Sequence, residues 1–225
     1  MTGTVLVYDA TRDNIAHLPA GQAAGYTTST GTHIQWTAAD FAAHPGAVRI
    51  DQDPAASDPT ADILDVEARA ATLADCPGWA KRALADYKAA RRPGQRSPAI
   101  YASRSNLTPV VNALVAGGVT SGVGLWVADW TGNQAAATAE VQAASGPFPV
   151  IAVQFRNAGA YDISVFSATW LKGVSVSQPA QPPAPPGQWL NADAWTWRDV
   201  AVTGIGLDGH LHMFRLVDGA WVKVA

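Results

Sequence analysis

The chain has 225 residues, 48% of them apolar and only 15% charged, with a formal net charge of −3. There is apolar surface enough for a sizeable core, and no basic block of the kind that neutralises nucleic-acid phosphates; a single cysteine, Cys76, excludes an intrachain disulfide framework. No run approaches the roughly 18 apolar residues of a membrane span, and MTGTVLVYDATRD lacks both the basic start and the apolar length of a signal peptide, so the expectation is a soluble protein without an export signal of its own.

In chain order, short apolar runs bounded by turn residues predict eight strands: TVLVYDA (4–10), AAGYTTS (23–29), GAVRID (46–51), ADILDVEA (61–68), SPAIYAS (97–103), GLWVADW (124–130), VIAVQF (150–155) and YDISVF (161–166). Helical patterns lie between several of them. WTAADFAAHP is short. CPGWAKRALADYKAARR places Trp79, Ala83, Leu84 and Tyr87 on one face, with Cys76 as a small apolar residue at its start, and SRSNLTPVVNALVAGG and NQAAATAEVQAASG follow. Strands alternating with helices predict βα units and a mostly parallel sheet, and eight strands suggest a TIM-like (β/α) barrel. The barrel is lean. QDPAASDPT has no helical pattern, and RNAGA is too short for a parallel crossover, so the last strand is expected to run antiparallel. The fold class is α/β: a flattened, incompletely helix-covered barrel over 1–172, a proline-rich linker over 173–187, and a small tryptophan-rich all-β module over 188–225.

Acids gather at the predicted strand ends: Asp9 on the first, Asp51 and Asp53 on the third, Asp65 and Glu67 on the fourth and Asp129 on the sixth. Loops at the C-terminal ends of barrel strands build active sites. Asp162 opens the eighth strand, and an antiparallel eighth strand brings its start to that same face. Asp65 and Glu67, two apart, share a strand face about 6–7 Å apart, as do Val5, Val7 and Asp9. Asp58 and Asp75 read instead as helix N-caps. Several carboxylates in one mouth raise at least one pKa, giving a protonated acid beside an ionised partner, the combination that glycoside hydrolysis uses.

With those pieces in place, residues 4–171 resemble glycoside hydrolase family 25, the Chalaropsis-type lysozymes of bacteria and phages. The matching pieces are Asp9, the DVE of the fourth strand, IYAS, LWVADW, VQF and the closing YDISVF. The resemblance implies a peptidoglycan muramidase that cleaves the β-1,4 bond between N-acetylmuramic acid and N-acetylglucosamine, with retention assisted by the substrate's acetamido group. It implies Glu67 as the acid, Asp65 as the residue that positions the acetamido group or stabilises the oxocarbenium, and Asp9 and Asp162 flanking them. Tyr101, Trp126 and Gln154 fall where the family lines its groove, and the strand-end acids Asp51 and Asp129 join them as substrate-binding candidates. The resemblance implies no cofactor or metal. The chain departs from the family at DATRDNI and at TTSTGTHIQW.

The tail reads as β-structure because LDGH and VDGA are Asp-Gly turns between alternating runs. GIGLDG matches a dinucleotide-binding glycine pattern in form only, since no helix is expected after it. His210 and His212 lack a third metal ligand. The module can dock on the barrel, bind wall polymer, or assemble through homo-oligomerisation or a phage tail. Two functions remain open at this level: a phage endolysin or virion lysin, held in the virion or host cytoplasm and acting on peptidoglycan, or an inactive glycan-binding or tail-structural barrel. A metal-dependent amidase is disfavoured because the five histidines have no paired spacing inside the barrel.

Overall fold

The structure, a computed structural model, describes residues 3–29, 34–89 and 96–171, and beyond these the backbones of strands at 189–196, 201–206, 211–217 and 220–224. The chain divides into two units, Met1–Ser177 and Gln178–Ala225. The sequence-predicted linker, 173–187, lies outside the described residues.

The first unit is a closed eight-stranded barrel with strands in chain order. Its strands are β1 (Thr4–Asp9), β2 (Gln22–Tyr26), β3 (Val48–Asp51), β4 (Ile63–Val66), β5 (Ala99–Ser103), β6 (Gly124–Ala128), β7 (Val150–Asn157) and β8 (Asp162–Ser167). All eight coincide with the sequence-predicted runs. Successive strands from β1 to β7 pair in parallel, and β8 is antiparallel to both β7 and β1. The short RNAGA segment permits nothing else, because a parallel return needs a crossover of a dozen or more residues.

Strand alternation sorts the side chains into two cores. Val7, Ala24, Ile50, Ile63, Ala99, Trp126, Ala152 and Phe166 fill the barrel interior. Large Trp126 and Phe166, with ring centroids 4.9 Å apart, stand among alanines, so bulk on one wall meets space on another. The outward residues pack under helices. Leu64, Ile100 and Leu125 lie against Trp79 and Ala83 of α2 (Cys76–Lys88) and Leu114 of α3 (Leu107–Ala116). Val127, Val153 and Val165 lie against Ala137 and Val141 of α4 (Gln134–Ala143). On the β2 side the cover is Trp36, whose ring rests on Gly25 so closely that an added Cβ would stand 2.2 Å from it, and whose indole N–H donates to the Ala10 carbonyl at 2.9 Å. α1 (Ala38–Ala43) beside it starts in a capping box of Thr37 and Asp40. No helix stands between β3 and β4 or between β7 and β8, so the helix cover is incomplete, as expected.

Local expectations were corrected in three places. Tyr87 shares the angular position of the buried Cys76, Trp79, Ala80 and Ala83 but falls in the last turn of α2 and is 38% exposed. Asp58 caps no helix; its carboxylate accepts from the Thr60 N–H and hydroxyl in a local turn. Asp75 does stand at the N-cap of α2, but its side chain faces backwards to the Thr72 N–H and hydroxyl. Cys76 is buried as expected, its thiol pushed up to about 11 by burial and then by Asp75.

The opposite end of the barrel from the strand-end acids is tied by Arg96. Its guanidinium, wholly buried, pairs with buried Asp62 at 2.8 Å and also donates to the carbonyls of Gly46 and Ala47. Asp62 in turn accepts from the Arg49 N–H at 3.0 Å. The neighbouring Trp170 indole donates to the Ser97 carbonyl at 3.0 Å.

The second unit is a four-stranded antiparallel sheet in the order β12-β11-β10-β9, built from β9 (Trp189–Thr196), β10 (Ala201–Gly206), β11 (Leu211–Val217) and β12 (Ala220–Val224). Val217 opposite Ala220 leaves a two-residue loop at the second Asp-Gly turn. Gly204 and Gly206 lie on β10, which pairs with β11, so the glycine pattern belongs to a strand. His210 and the packing of the tryptophans lie outside the described residues.

Removing one partner from a fully buried ion pair strands the other charge, at a cost of about 3–5 kcal/mol. Arg96→Ala is therefore expected to lower the urea midpoint of unfolding by that amount of stability, whereas Arg12→Ala, at the exposed Arg12–Asp40 pair, is expected to change it by less than about 1 kcal/mol. Equal effects of the two would show that the buried pair does not tie the barrel.

Candidate active site

Asp9 has the inward parity of Val7, and Asp65 that of Ile63, so both carboxyls enter the barrel from the ends of parallel strands. Glu67 follows one residue beyond β4, where a turn closed by Ala70 N–H to the Glu67 carbonyl and Ala71 N–H to the Asp65 carbonyl, both 3.1 Å, brings the chain over the rim. Asp162 comes from the other direction. Antiparallel β8 sets it directly opposite Asp9, in the pairing that holds side chains about 4.5–5.5 Å apart at Cβ.

Together these four acids line one cavity of about 270 Å³. Tyr101, level with Asp65 on β5, Trp126 and Gln154 line it too. Its outer wall carries Trp130, 53% exposed, and Tyr161, which meets Tyr8 edge-on at 5.8 Å. The interior is wired by side chains: the Tyr101 hydroxyl donates to Gln154 Oε1, and Gln154 Nε2 donates to both Asp9 oxygens at 3.2 and 3.3 Å. The Trp126 indole donates to Ser164 Oγ at 3.1 Å.

Burial and like charge set the protonation. Asp9 is raised to about 8, first by burial and then by Asp162 across the β1–β8 pair, against the lowering effect of Gln154. Asp65 is raised well above the usual carboxylate range by burial, then by Glu67 and Asp9. One of its oxygens, Oδ1, is buried without a hydrogen-bond partner, the situation in which a carboxyl keeps its proton. The Tyr101 hydroxyl is also raised by burial and stays a donor. At neutral pH the site holds two neutral acids at depth and Glu67 exposed at the mouth. The sequence predicted a raised acid beside an ionised one, and the resemblance implied Glu67 as the proton donor; the groups raised in the structure are Asp9 and Asp65.

Two sequence-predicted site residues stand apart from the cavity. Asp51 follows inward-pointing Ile50 and so turns outward. Its oxygens accept from Thr28 Oγ1 and from the N–H groups of Asp53 and Asp58 at 2.9–3.0 Å, holding the β3–β4 loop. Asp129 has the outward parity of Val127 and pairs with Arg104 at 2.8 Å, which also reaches Glu140 of α4. Gln154 is in the cavity, but both ends of its amide are engaged by the protein. The sequence reading passed over Tyr26, Asn14 and Trp130, which also line the cavity. Tyr26 was within reach of the parity rule, two residues beyond inward Ala24. Among the described residues no cluster of His, Cys, Asp and Glu is arranged to hold a metal, and no helix is long and apolar enough to cross a membrane.

No protein-family model matches the chain, and no curated protein matches it. Among solved structures it is similar to the bacterial lysozyme from Streptomyces coelicolor, at 18% identity and a TM-score of 0.43, over 76% of this chain and 97% of that one. Function therefore has to be read from the pocket's own residues.

A carboxyl raised to about 8 in the folded state and ordinary in the unfolded chain binds its proton more tightly when folded. Its contribution to stability is full below about pH 4 and declines until about pH 8. Asp9→Asn removes that dependence. The variant is expected to melt close to wild type at pH 4 and above it at pH 8, by on the order of a few kcal/mol, or several degrees. Parallel melting curves across that range would contradict a buried, raised Asp9.

Proposed function

We propose that the first unit is a glycoside hydrolase acting on peptidoglycan glycan strands, cleaving at N-acetylmuramic acid by carboxylate acid/base catalysis. The observation that carries this reading is the gathering of Asp9, Asp65, Glu67 and Asp162 in one cavity. Sugar hydrolysis needs a proton donor and a second carboxyl facing the same bond, and a polar, aromatic-lined mouth suits a ring with hydroxyls on its edges and C–H groups on its faces.

Glu67 is assigned as the acid. It is the exposed carboxyl of the four-acid group that a polymer strand reaches first, and its side chain makes no hydrogen bond among the described residues. It protonates the glycosidic oxygen as the bond to the anomeric carbon breaks. The resemblance noted in the sequence supplies the complementary step, in which the acetamido oxygen of the muramic acid closes on that carbon and water then opens the adduct. Asp65, neutral and with a free acceptor atom at depth, both donates and accepts, which suits it to hold the acetamido group. Asp9 and Asp162 face the same space and handle the charge and the incoming water. Trp130 at the rim offers a stacking face for a neighbouring sugar. A phage endolysin or virion lysin remains the setting that the sequence suggests.

Glu67→Gln keeps shape and removes the ionisable proton. Release of reducing ends from purified actinobacterial peptidoglycan is expected to fall by about 10²–10⁴-fold, with the melting temperature within a degree or two because the side chain is exposed. Muramic acid at the new reducing end identifies the bond. Binding to the glycan without any release by wild type would move the assignment to an inactive glycan-binding barrel. Trp130→Ala is expected to raise KM by about tenfold, on the order of one stacking contact, with kcat little changed.

A further inference from the structure

Gln154 lies on β7, 2% exposed, between two walls of the barrel. Both ends of its amide are occupied. The Tyr101 hydroxyl from β5 donates to Oε1, which turns Nε2 toward β1, where it donates to both oxygens of Asp9. The direction follows from Tyr101: a phenol raised by burial remains a donor, so Oε1 faces its hydroxyl and Nε2 faces Asp9. We infer that Gln154 is a positioning residue, not a glycan ligand: it orients the Asp9 carboxyl, supplies a donor to its charged form, and links Asp9 to the Tyr101–Asp65 side of the site.

The surroundings of Asp9 make that donor matter. The titratable groups facing it are Asp162 from β8, Tyr26 from β2, Asp65 and Glu67 from β4 and Tyr101 from β5. All are acids or phenols, and none of these described residues is a cation. Besides Asp9's own backbone N–H, Gln154 is the group that favours the carboxylate. Tyr101 stands level with Asp65 in the β4–β5 register, and Asp9 stands level with Asp162 in the β1–β8 register. The Tyr101–Gln154–Asp9 chain thus crosses the barrel from one pair of acids to the other. An apolar residue at 154 would leave the Tyr101 hydroxyl without its acceptor and Asp9 without its donor.

The test is a carbon-detected NMR titration of the Asp9 carboxyl in the free protein, which needs no substrate and so reads out whether or not the chain cleaves glycan. Gln154→Met, which keeps volume, is expected to move the Asp9 midpoint up by about one pH unit. Tyr101→Phe, which frees Oε1 and lets the amide turn, is expected to move it in the same direction by less. An unmoved midpoint in Gln154→Met overturns the inference. Should that variant fail to fold, Tyr101→Phe decides alone, and an unmoved midpoint there overturns it. A shift in Gln154→Met without one in Tyr101→Phe removes the part given to Tyr101. The kinetic arm rests on the proposed hydrolase. A positioning role predicts kcat lower by roughly tenfold or more with KM within about twofold, whereas a rise in KM with the Asp9 titration unmoved makes Gln154 a substrate ligand.

Discussion

The direction of β8 decides what this barrel can do. Seven parallel strands carry their C-terminal ends to one rim, and a parallel eighth strand would place Asp162 at the other end of the barrel. Running antiparallel between β7 and β1, β8 starts where its neighbours end and sets Asp162 beside Asp9. The constraint is a matter of chain length. The segment from Ala158 to Tyr161 can close a hairpin, with the Ala158 N–H bonded to the Tyr161 carbonyl at 2.9 Å, but it cannot climb back along the barrel. The same hairpin delivers Tyr161 and Asn157 to the mouth.

Four acids converging in a lean barrel have few ways to be neutralised. Arg104, near this end, is drawn to Asp129 and Glu140 on the outer surface. Burial and mutual repulsion therefore push protons onto Asp9 and Asp65, and the site stores this as a stability cost that rises with pH. The opposite end is treated differently. There Asp62 receives a full counter-charge from Arg96 at 2.8 Å, backed by the Arg49 N–H. One end of the barrel is electrostatically closed; the other is left unbalanced toward a polar ligand. That contrast, more than the number of acids, separates a site from a structural charge pair.

The order of elements was legible in the sequence for identifiable reasons. Alternating β-branched runs ending at turn residues mark strands whether or not their partners are known. The α2 pattern of Trp79, Ala83, Leu84 and Tyr87 marks a helix face, and a five-residue connection dictates an antiparallel return. Asp9, Asp65, Glu67 and Asp162 were readable as a group because each stands at a strand end on the rim and because Asp65 and Glu67 share parity. Asp51 and Asp129 were equally close to strand ends, and position along the strand alone could not separate them from the others. In β6 both faces are apolar, Leu125 and Val127 under helices and Trp126 inside, so the pattern does not reveal which parity points inward.

The sequence by itself thus determined the strands, the helices between them, the reversed last strand and the level at which the acids sit, because these follow from local periodicity and connection length. Only the tertiary structure decided which acids face one another, because that depends on closure of the barrel and on the parity each strand adopts when its neighbours pack. It also decided that the carboxyls of Asp9 and Asp65 are raised, since burial belongs to the assembled barrel. The engagement of Gln154 by Tyr101 and Asp9, residues 53 and 145 positions away, could arise only when three distant strands were brought to the same interior.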